Sequence, residues 1–396
     1  MARRSYLTGT AQADLFAEAA LLRVQPIAPL IRWPGGKSAE LDLIRANMPP
    51  AARRYFEPFV GGGAVFLAIS DNVPAYLNDI SQELIDFYAE VAAGGAKLCD
   101  VLQALDDLWK SIEVAVDTEA PRLLAAYAAA DAAAAFVRPV EAAFRSCGRN
   151  WLRLAALGVD MGGERLLAEI LDSVSGKILR MRKLEAEKGR FPDNGVVANI
   201  TGAIKAAVYY RLRWLYNRSA ELSGNRSLRS ALFFFIREYA YAAMFRYNSS
   251  GAFNVPYGGI SYNRKFLTEK LAHLTSASVI RKFGSARIER MDFAGFFTKH
   301  RPEADDFIFV DPPYDSRFSE YGRTSFGAED HQRLAQFLLA TPATWMLVIK
   351  STELILELYA GRGLIIRAAD KKYQWTIKER NVRDTVHLMI SNYNCE

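Results

Sequence analysis

The 396-residue sequence has few cysteines, and their positions suit no cysteine-based structure. Cys99, Cys147 and Cys395 are far apart and odd in number. A disulfide framework or a cysteine metal site needs pairs of cysteines at close, regular spacing. The sequence therefore predicts neither a disulfide framework nor a metal site, and it favours a reducing compartment such as the cytoplasm.

Long apolar runs are also lacking. No uninterrupted apolar stretch reaches the roughly 20 residues that a membrane-spanning helix needs, so we expect no membrane association. We interpret residues 1–25 as a short N-terminal leader, since Asp14 and Glu18 interrupt what would be the apolar core of a signal peptide. The composition, 51% hydrophobic and 24% charged, excludes disorder and is typical of a globular chain.

The chain lacks a large charge surplus, but its small surplus is concentrated in one segment. Fifty Lys and Arg against 44 Asp and Glu give a net charge of +6. Residues 176–230 contain 12 Lys and Arg against 4 Asp and Glu, a local charge of +8, so the remainder carries −2. This segment suits the phosphates of a polyanion or the solvated face of a helix, and both interpretations stay open.

The apolar pattern predicts a parallel sheet. A short strand at residues 55–60 ends at three glycines, a helix begins near residue 64, and a second strand at 75–79 ends in a carboxylate. A helix follows at 82–92. Further strands are predicted at 306–310, 345–349, 363–368 and 384–391.

The segment between these strands is predicted to be helical. The pattern indicates a helical stretch with breaks at Pro121 and Pro139, three further helices, and then an ordered loop or hairpin. In chain order these are residues 98–156, 162–190, 203–216, 228–245 and 247–259.

The sequence Asp311-Pro312-Pro313-Tyr314 follows a predicted strand. Two prolines fix φ and remove two backbone donors, which leaves a rigid turn rich in hydrogen-bond acceptors beside an aromatic ring. An exocyclic amine on a flat heterocycle can donate to the carboxylate and the first proline carbonyl while the ring stacks. A tight turn with an exposed aspartate is the other interpretation of these four residues.

The glycine turn Gly61-Gly62-Gly63 allows close approach of a ligand to the backbone. Phe66 stands where a dinucleotide-binding fingerprint needs its third glycine, and Ile31 where a phosphate-binding loop ending at Lys37 needs its first. Asp79 is placed to accept from a ribose or to cap the next helix. Together these residues favour an adenosine-containing ligand.

Four segments in order resemble the Dam-type (D12 class) N6-adenine-specific DNA methyltransferases. They are Arg32-Trp33-Pro34-Gly35-Gly36-Lys37, Glu57-Pro58-Phe59-Val60-Gly61-Gly62-Gly63, Asn78-Asp79-Ile80 and Asp311-Pro312-Pro313-Tyr314. The segment from Arg246 to Gly258 and the closing residues 388–393 are also similar to this family. The resemblance implies an α/β fold, in which a Rossmann-like methyltransferase sheet carries a largely helical target-recognition insertion. Its catalytic domain would comprise residues 26–114 and 285–396, and the insertion residues 115–284.

The resemblance also implies a cofactor, S-adenosyl-L-methionine, and roles for individual residues. Lys37 would pair with the methionine carboxylate, Asp79 would hold the ribose, and Gly61 and Gly63 would approach the cofactor closely. Trp33, Phe59 and Asp311 complete the predicted cofactor site. The catalytic residues implied for a flipped adenine are Asp311, Pro312, Pro313 and Tyr314.

Double-stranded DNA is the partner that the resemblance implies, for a protein expected to be monomeric, bacterial and nucleoid-associated. A cognate restriction endonuclease stays an open possibility. Phosphate contacts are predicted in the basic segment, at Lys177, Arg180, Arg182 and Lys183. The other predicted DNA-binding residues are Arg32, Tyr241, Arg246, Tyr247, Asn248, Asn254, Pro256 and Tyr257.

Two alternatives remain open at the level of the sequence. The Asp-Pro-Pro-Tyr turn would serve any planar amine, so the substrate could be adenine in RNA. The chain could also be a DNA-binding homologue that has lost catalysis.

Overall fold

The computed structural model describes residues 19–23, 25–129, 132–218, 225–314, 326–369 and 387–394. Within these residues no helix is long and apolar enough to cross a membrane, and no group of three or more His, Cys, Asp or Glu could hold a metal ion. Most of the predicted leader lies outside the described residues. Its end does not: Ala19–Ala20 forms strand β1 and Leu21 is fully buried, so this part of the segment belongs to the core.

A seven-stranded sheet forms the centre of the molecule, in the order β5-β4-β3-β6-β7-β9-β8. Strands β5 to β7 run parallel, and β9 runs antiparallel between β7 and β8. A separate two-stranded pair joins β1 to β2. The strands are β1 Ala19–Ala20, β2 Ala51–Ala52, β3 Tyr55–Glu57, β4 Ala75–Asn78, β5 Arg287–Glu289, β6 Phe307–Val310, β7 Thr344–Lys350, β8 Ile365–Ala369 and β9 His387–Ser391.

The side chains of the central strands alternate between two hydrophobic cores because successive residues of a strand point to opposite faces. On β6, Phe307 and Phe309 belong to one core, and Ile308 and Val310 to the other. Helices α11, α12 and α13 cover the second face. The first face is covered by α2, α3, α7, α8 and α10, which form one continuous core with it. This confirms the predicted α/β fold with a Rossmann-like sheet.

Thirteen α-helices occur in the described residues. They are α1 Leu41–Ala46, α2 Gln82–Ala92, α3 Ala96–Ala128, α4 Ala132–Ser146, α5 Gly148–Ala156, α6 Gly163–Lys188, α7 Asp193–Asn217, α8 Arg226–Tyr239, α9 Thr268–Leu274, α10 Ala277–Gly284, α11 Phe293–His300, α12 Ala328–Ala340 and α13 Glu353–Tyr359.

Several element predictions were wrong. Helices α3 and α4 continue through Pro121 and Pro139, since the packing of their apolar faces outweighs the local cost of a proline. The helix predicted near residue 64 is only a 3-10 turn at Phe66–Ala68, because the apolar run ends at Ser70 after a single buried turn. The edge strand β5 was not predicted. The predicted domain boundary after residue 114 lies inside α3, so α3 belongs to both predicted domains.

Candidate active site

The predicted cofactor and substrate residues follow three adjacent strands. The glycine turn follows β3, Asp79 follows β4 and Asp311 follows β6. The strand order reverses between β3 and β6, because the chain builds one side of the sheet from β3 and the other from β6. In open α/β sheets ligands bind outside the carboxyl ends of the strands at such a switch point. The fold therefore gathers residues that are far apart in the sequence at a place suited to a ligand.

Lys37 lies at the centre of the site, in contact with the Asp-Pro-Pro-Tyr turn. Its ammonium is 2.5 Å from Asp311 Oδ1 and donates to the Tyr314 hydroxyl at 3.2 Å and the Gly35 carbonyl at 2.9 Å. The Lys37 side chain is 3% exposed, whereas that of Asp311 is 18% exposed. The carboxylate that Lys37 meets in this structure is thus Asp311, where the sequence predicted the carboxylate of the cofactor.

The four residues of this turn differ in exposure. Pro312 is buried and Pro313 is exposed, while Asp311 and Tyr314 are half-buried. A carboxylate and an aromatic ring are therefore accessible beside two residues that have no N–H to donate. The turn can bind a flat amine through acceptors and stacking, as the sequence predicts.

The glycine turn packs against Trp33. Gly61 and Gly63 have positive φ, +47° and +68°. A Cβ atom on Gly61 would lie 2.9 Å from Trp33 Cδ1, so the indole itself requires glycine at this position. The Tyr88 hydroxyl donates to the Gly61 carbonyl at 2.7 Å and holds the turn from the other side. In the described structure the close approach that needs Gly61 is that of Trp33.

Asp79 connects the ends of β3 and β4. Its Oδ2 accepts from the Gly61 N–H at 3.0 Å and its Oδ1 from the Ser81 N–H at 2.9 Å. Ser81 is the residue that caps α2, since its hydroxyl accepts from the Leu84 N–H. Burial raises the pKa of Asp79, and the two N–H donors oppose this shift. Each carboxylate oxygen keeps a lone pair for a further donor such as a ribose hydroxyl.

Phe59 lies in an aromatic cluster next to the glycine turn. Its ring centroid is 5.5 Å from that of Phe293 and 5.5 Å from that of Phe326, the latter edge to face. The ring is half-buried. Phe59 therefore forms part of an apolar wall beside the carboxyl end of β3.

Glu57 is a site residue to which sequence reasoning gave no role. It ends β3, is 3% exposed and accepts from the Tyr55 hydroxyl at 2.7 Å. Burial raises its pKa to about 8, with a contribution from the negative charge of Asp311. The carboxyl group is accordingly mainly protonated at neutral pH. The available sequence signal was a glutamate within an apolar strand immediately before the glycine turn.

Glu40 and His387 are two further residues that the sequence did not reveal. His387 Nδ1 lies 3.0 Å from Glu40 Oε1, and both residues are buried. The His387 ring packs edge to face on Tyr314, with centroids 5.3 Å apart and planes at 65°. Glu40 follows the short 3-10 turn that begins at Lys37. Lys37, Glu40, His387 and Tyr314 thus form a closed ring of contacts behind Asp311, which joins opposite ends of the sequence.

The predicted hairpin follows α8 and is held by the end of α7. Tyr247 pairs with Phe253, and the Asn248 side chain accepts from the N–H groups of Ser250 and Ala252. The Asn217 amide accepts from the Phe253 N–H at 2.8 Å and donates to the Phe253 carbonyl at 3.0 Å. These contacts give the loop a fixed shape.

The predicted DNA-binding residues near the hairpin differ in accessibility. Five are exposed and two half-buried, whereas Tyr257 is buried. The Tyr257 hydroxyl donates to Asn263 and its ring packs on Trp109 at 5.7 Å, so its role here is to hold the base of the hairpin. The exposed residues are Arg32, Tyr241, Arg246, Asn248 and Pro256, and the half-buried ones are Tyr247 and Asn254.

The predicted basic residues of α6 also have different surroundings. Arg180 and Lys183 are exposed. Lys177 is half-buried, and burial lowers its pKa. Arg182 donates through Nη2 to the carbonyls of Tyr127 and Ala129, so it supports the end of α3.

Comparison with known proteins places this arrangement in a family. Residues 33–117 and 198–374 match the model of the D12 class N6 adenine-specific DNA methyltransferases. The residues between the two matched parts include α4, α5 and α6.

Relatives of similar length share the match over most of the chain. The type II methyltransferase M.CviBI of Paramecium bursaria Chlorella virus NC1A is 24% identical over 92% of this chain and 99% of its own length. The type II methyltransferase M.MjaIII of Methanocaldococcus jannaschii is 22% identical over 78% of this chain and 79% of its own length. The retron Ec67 DNA adenine methylase of Escherichia coli is 32% identical over 40% of this chain and 53% of its own length. The chain belongs to the D12 class of N6 adenine-specific DNA methyltransferases.

Proposed function

We propose that the protein transfers a methyl group from S-adenosyl-L-methionine to N6 of adenine at a specific sequence in double-stranded DNA. The observation that carries this proposal is the position of the Asp311-Pro312-Pro313-Tyr314 turn. It lies at the switch point of the sheet, on the strand next to the glycine turn, and Lys37 contacts its carboxylate. The family match supports adenine as the substrate.

The residues at the ends of β3 and β4 fit the proposed cofactor. The half-buried Asp79 carboxylate can accept from the ribose hydroxyls, and the apolar wall that includes Phe59 suits an adenine ring. When bound, the cofactor supplies an electrophilic methyl group. The residues proposed to hold it are Trp33, Lys37, Phe59, Gly61, Gly63, Asp79 and Asp311.

Asp311 and Pro312 would activate the target nitrogen. The amine of adenine is a poor nucleophile because its lone pair is delocalised into the ring. Two acceptors, the Asp311 carboxylate and the Pro312 carbonyl, favour the tetrahedral nitrogen of the transition state by accepting both N–H groups. Lys37 orients the Asp311 carboxylate for this task. When the new N–C bond forms, the nitrogen loses one proton.

The target base must leave the helix to reach this turn. Base flipping costs a few kcal/mol, and stacking on Tyr314 together with the hydrogen bonds at Asp311 and Pro312 offsets this cost. The hairpin and its exposed residues Arg246 and Asn248 are placed on a rigid base that suits contact with the duplex. We propose the hairpin as the element that contacts bases and nearby phosphates.

Substitution of Asp311 tests this assignment. Asp311→Ala should lower N6-methyladenine formation in duplex DNA by at least 100-fold, because an acceptor to the reacting amine is lost. Mass spectrometry of the digested nucleosides gives the product, and circular dichroism checks the fold. Asp305→Ala, at an exposed position before β6, is the matched control and should keep the wild-type rate. Retained methylation in the Asp311 variant would contradict the role of this residue.

Two parallel measurements separate the alternatives. Assays with structured RNA and duplex DNA distinguish an RNA enzyme from a DNA enzyme. Titration with S-adenosyl-L-methionine distinguishes an active enzyme from a homologue without catalysis. Expression in a methylation-free bacterial host, followed by mapping of modified adenines, identifies the recognition sequence. The monomeric state, the cytoplasmic, nucleoid-associated location and a cognate restriction endonuclease stay predictions.

A further inference from the structure

The outer face of α7 carries an unusual group of cationic and aromatic side chains. Tyr210, Arg213, Trp214 and Arg218 share one face of the helix because they are three, four or eight residues apart. Arg165 of α6 joins them, with its guanidinium 5.6 Å from the centre of the Trp214 ring. We call these five residues the α7 surface.

Three guanidinium groups surround the single indole of Trp214. Besides Arg165, they are Arg211 at 4.6 Å and Arg218 at 4.8 Å from the ring centre. The indole is 37% exposed, so this arrangement is not a buried core contact. A second pair of the same kind lies alongside, with Arg213 at 4.8 Å from the ring of Tyr210, which is 41% exposed.

The carboxylate of Glu169 offsets part of this charge. It lies 3.1 Å from Arg165 Nε and 3.7 Å from Arg211 Nη1. Each cation–π contact at an exposed position contributes only about 0.5–1 kcal/mol. These contacts orient the guanidinium groups but leave like charges close together. A polyanion that binds across this surface would relieve their mutual repulsion.

The α7 surface continues into the proposed recognition hairpin. Asn217 lies on the same face of the helix and binds both backbone groups of Phe253. Arg213 Nη1 donates to the Val255 carbonyl at 2.8 Å. A duplex in contact with the hairpin would therefore extend past this face of α7.

We infer that the α7 surface binds the phosphate backbone of the duplex beside the recognised sequence. This inference rests on the proposed function. The face from Tyr210 to Arg218 is about 12 Å long, which corresponds to about three phosphates of one strand. Its contribution would be independent of DNA sequence, since phosphate contacts position the protein and do not read bases.

The salt dependence of DNA binding tests the inference. We compare Arg165→Gln/Arg218→Gln with Arg122→Gln/Arg145→Gln, which removes two equally exposed arginines from α3 and α4. The full-length protein is titrated into a labelled duplex at several KCl concentrations. The slope of log K against log salt should fall in magnitude by about 1 to 2 in the first variant and stay at the wild-type value in the second.

Trp214→Ala gives an independent measurement. It should weaken binding several-fold with little change in the salt slope, because it removes no charge. An unchanged slope in Arg165→Gln/Arg218→Gln, or an equal fall in both double variants, would overturn the inference and indicate another partner or a general charge effect. Absence of adenine methylation by the wild-type protein would instead contradict the proposed function, since methylation is assayed separately.

Discussion

At the scale of single residues, Glu57 is the group that the fold changes most clearly. The carboxyl is surrounded by the core at the end of β3, and its ionised form would face Asp311. The Tyr55 hydroxyl donates to it, but this one bond does not replace hydration. The protonated form is therefore favoured, and its pKa rises to about 8.

Glu57→Gln should remove a pH dependence of stability. Between the unfolded pKa of about 4.3 and the folded value of about 8, the folded chain binds more protons than the unfolded chain. The free energy of unfolding from this group therefore falls as pH rises through this interval and levels off above it. We expect the variant and the wild type to have similar Tm values near pH 5, and the variant to have the higher Tm at pH 9.

Thermal unfolding followed by circular dichroism at several pH values provides this comparison. Glu303→Gln is the matched control, since the Glu303 side chain is 64% exposed, and it should keep the wild-type pH profile. Parallel Tm curves for Glu57→Gln and the wild type would show that Glu57 is ionised in the folded protein.

Arg237 shows how one residue joins the two sides of the site. Its guanidinium is 4.6 Å from the Trp33 ring centre and 4.0 Å from that of Phe245, and it donates to the Arg32 carbonyl at 2.6 Å. Burial lowers its pKa to about 10, so it stays charged at neutral pH. The base of the hairpin and the turn beside the glycines are thereby held by the same side chain.

At the scale of elements, three segments meet behind the Asp-Pro-Pro-Tyr turn. The turn that starts at Lys37 supplies Glu40, the first residue of β9 is His387, and the turn after β6 supplies Tyr314. A buried charged pair adds little net stability, but removal of one partner costs about 3–5 kcal/mol. We therefore interpret the pair as a support that positions Tyr314.

Matched single and double variants separate this positioning from stability. His387→Leu should lower both the stability and kcat, since it leaves Glu40 buried without its partner. Glu40→Leu/His387→Leu should recover much of the stability, while kcat stays about 10- to 100-fold below wild type because Tyr314 lacks its edge contact. The KM for S-adenosyl-L-methionine should change little, as Asp79 and Gly61 are untouched. A wild-type kcat in the double variant would limit the pair to a structural role.

At the scale of the whole molecule, the helical segment and the sheet share one hydrophobic core. Residues of α3, α7 and α8 form a continuous cluster with one face of β3, β6 and β7. Helices α4 and α6, which lie between the two family matches, add Phe136, Ile170 and Ile178 to the same cluster. The helices that distinguish this chain are therefore built into its core.

This shared core predicts a single unfolding transition. In a urea titration, circular dichroism reports mainly the helices, and tryptophan fluorescence includes Trp345 of the sheet. The two signals should give the same midpoint, because neither part has a separate core. Two midpoints, or a helical fragment that survives limited proteolysis, would instead support the predicted separate insertion at residues 115–284.

The sequence by itself determined the local features of this protein. Most strands were predicted within a few residues because each is a short apolar run bounded by turn residues, as at β6 and its Asp-Pro-Pro-Tyr turn. The order of the motifs also indicated the family that the comparison establishes. Local propensity failed at Pro121, where packing along α3 outweighs the proline.

Only the tertiary structure decided which residues meet. The contact of Trp33 with Gly61, the pair of Glu40 with His387 and the group of arginines around Trp214 join segments that no spacing rule connects. The raised pKa of Glu57 has the same origin, because burial is a property of the assembled core. Chemical identity is written in the sequence, whereas proximity and desolvation arise when the sheet and the helices pack.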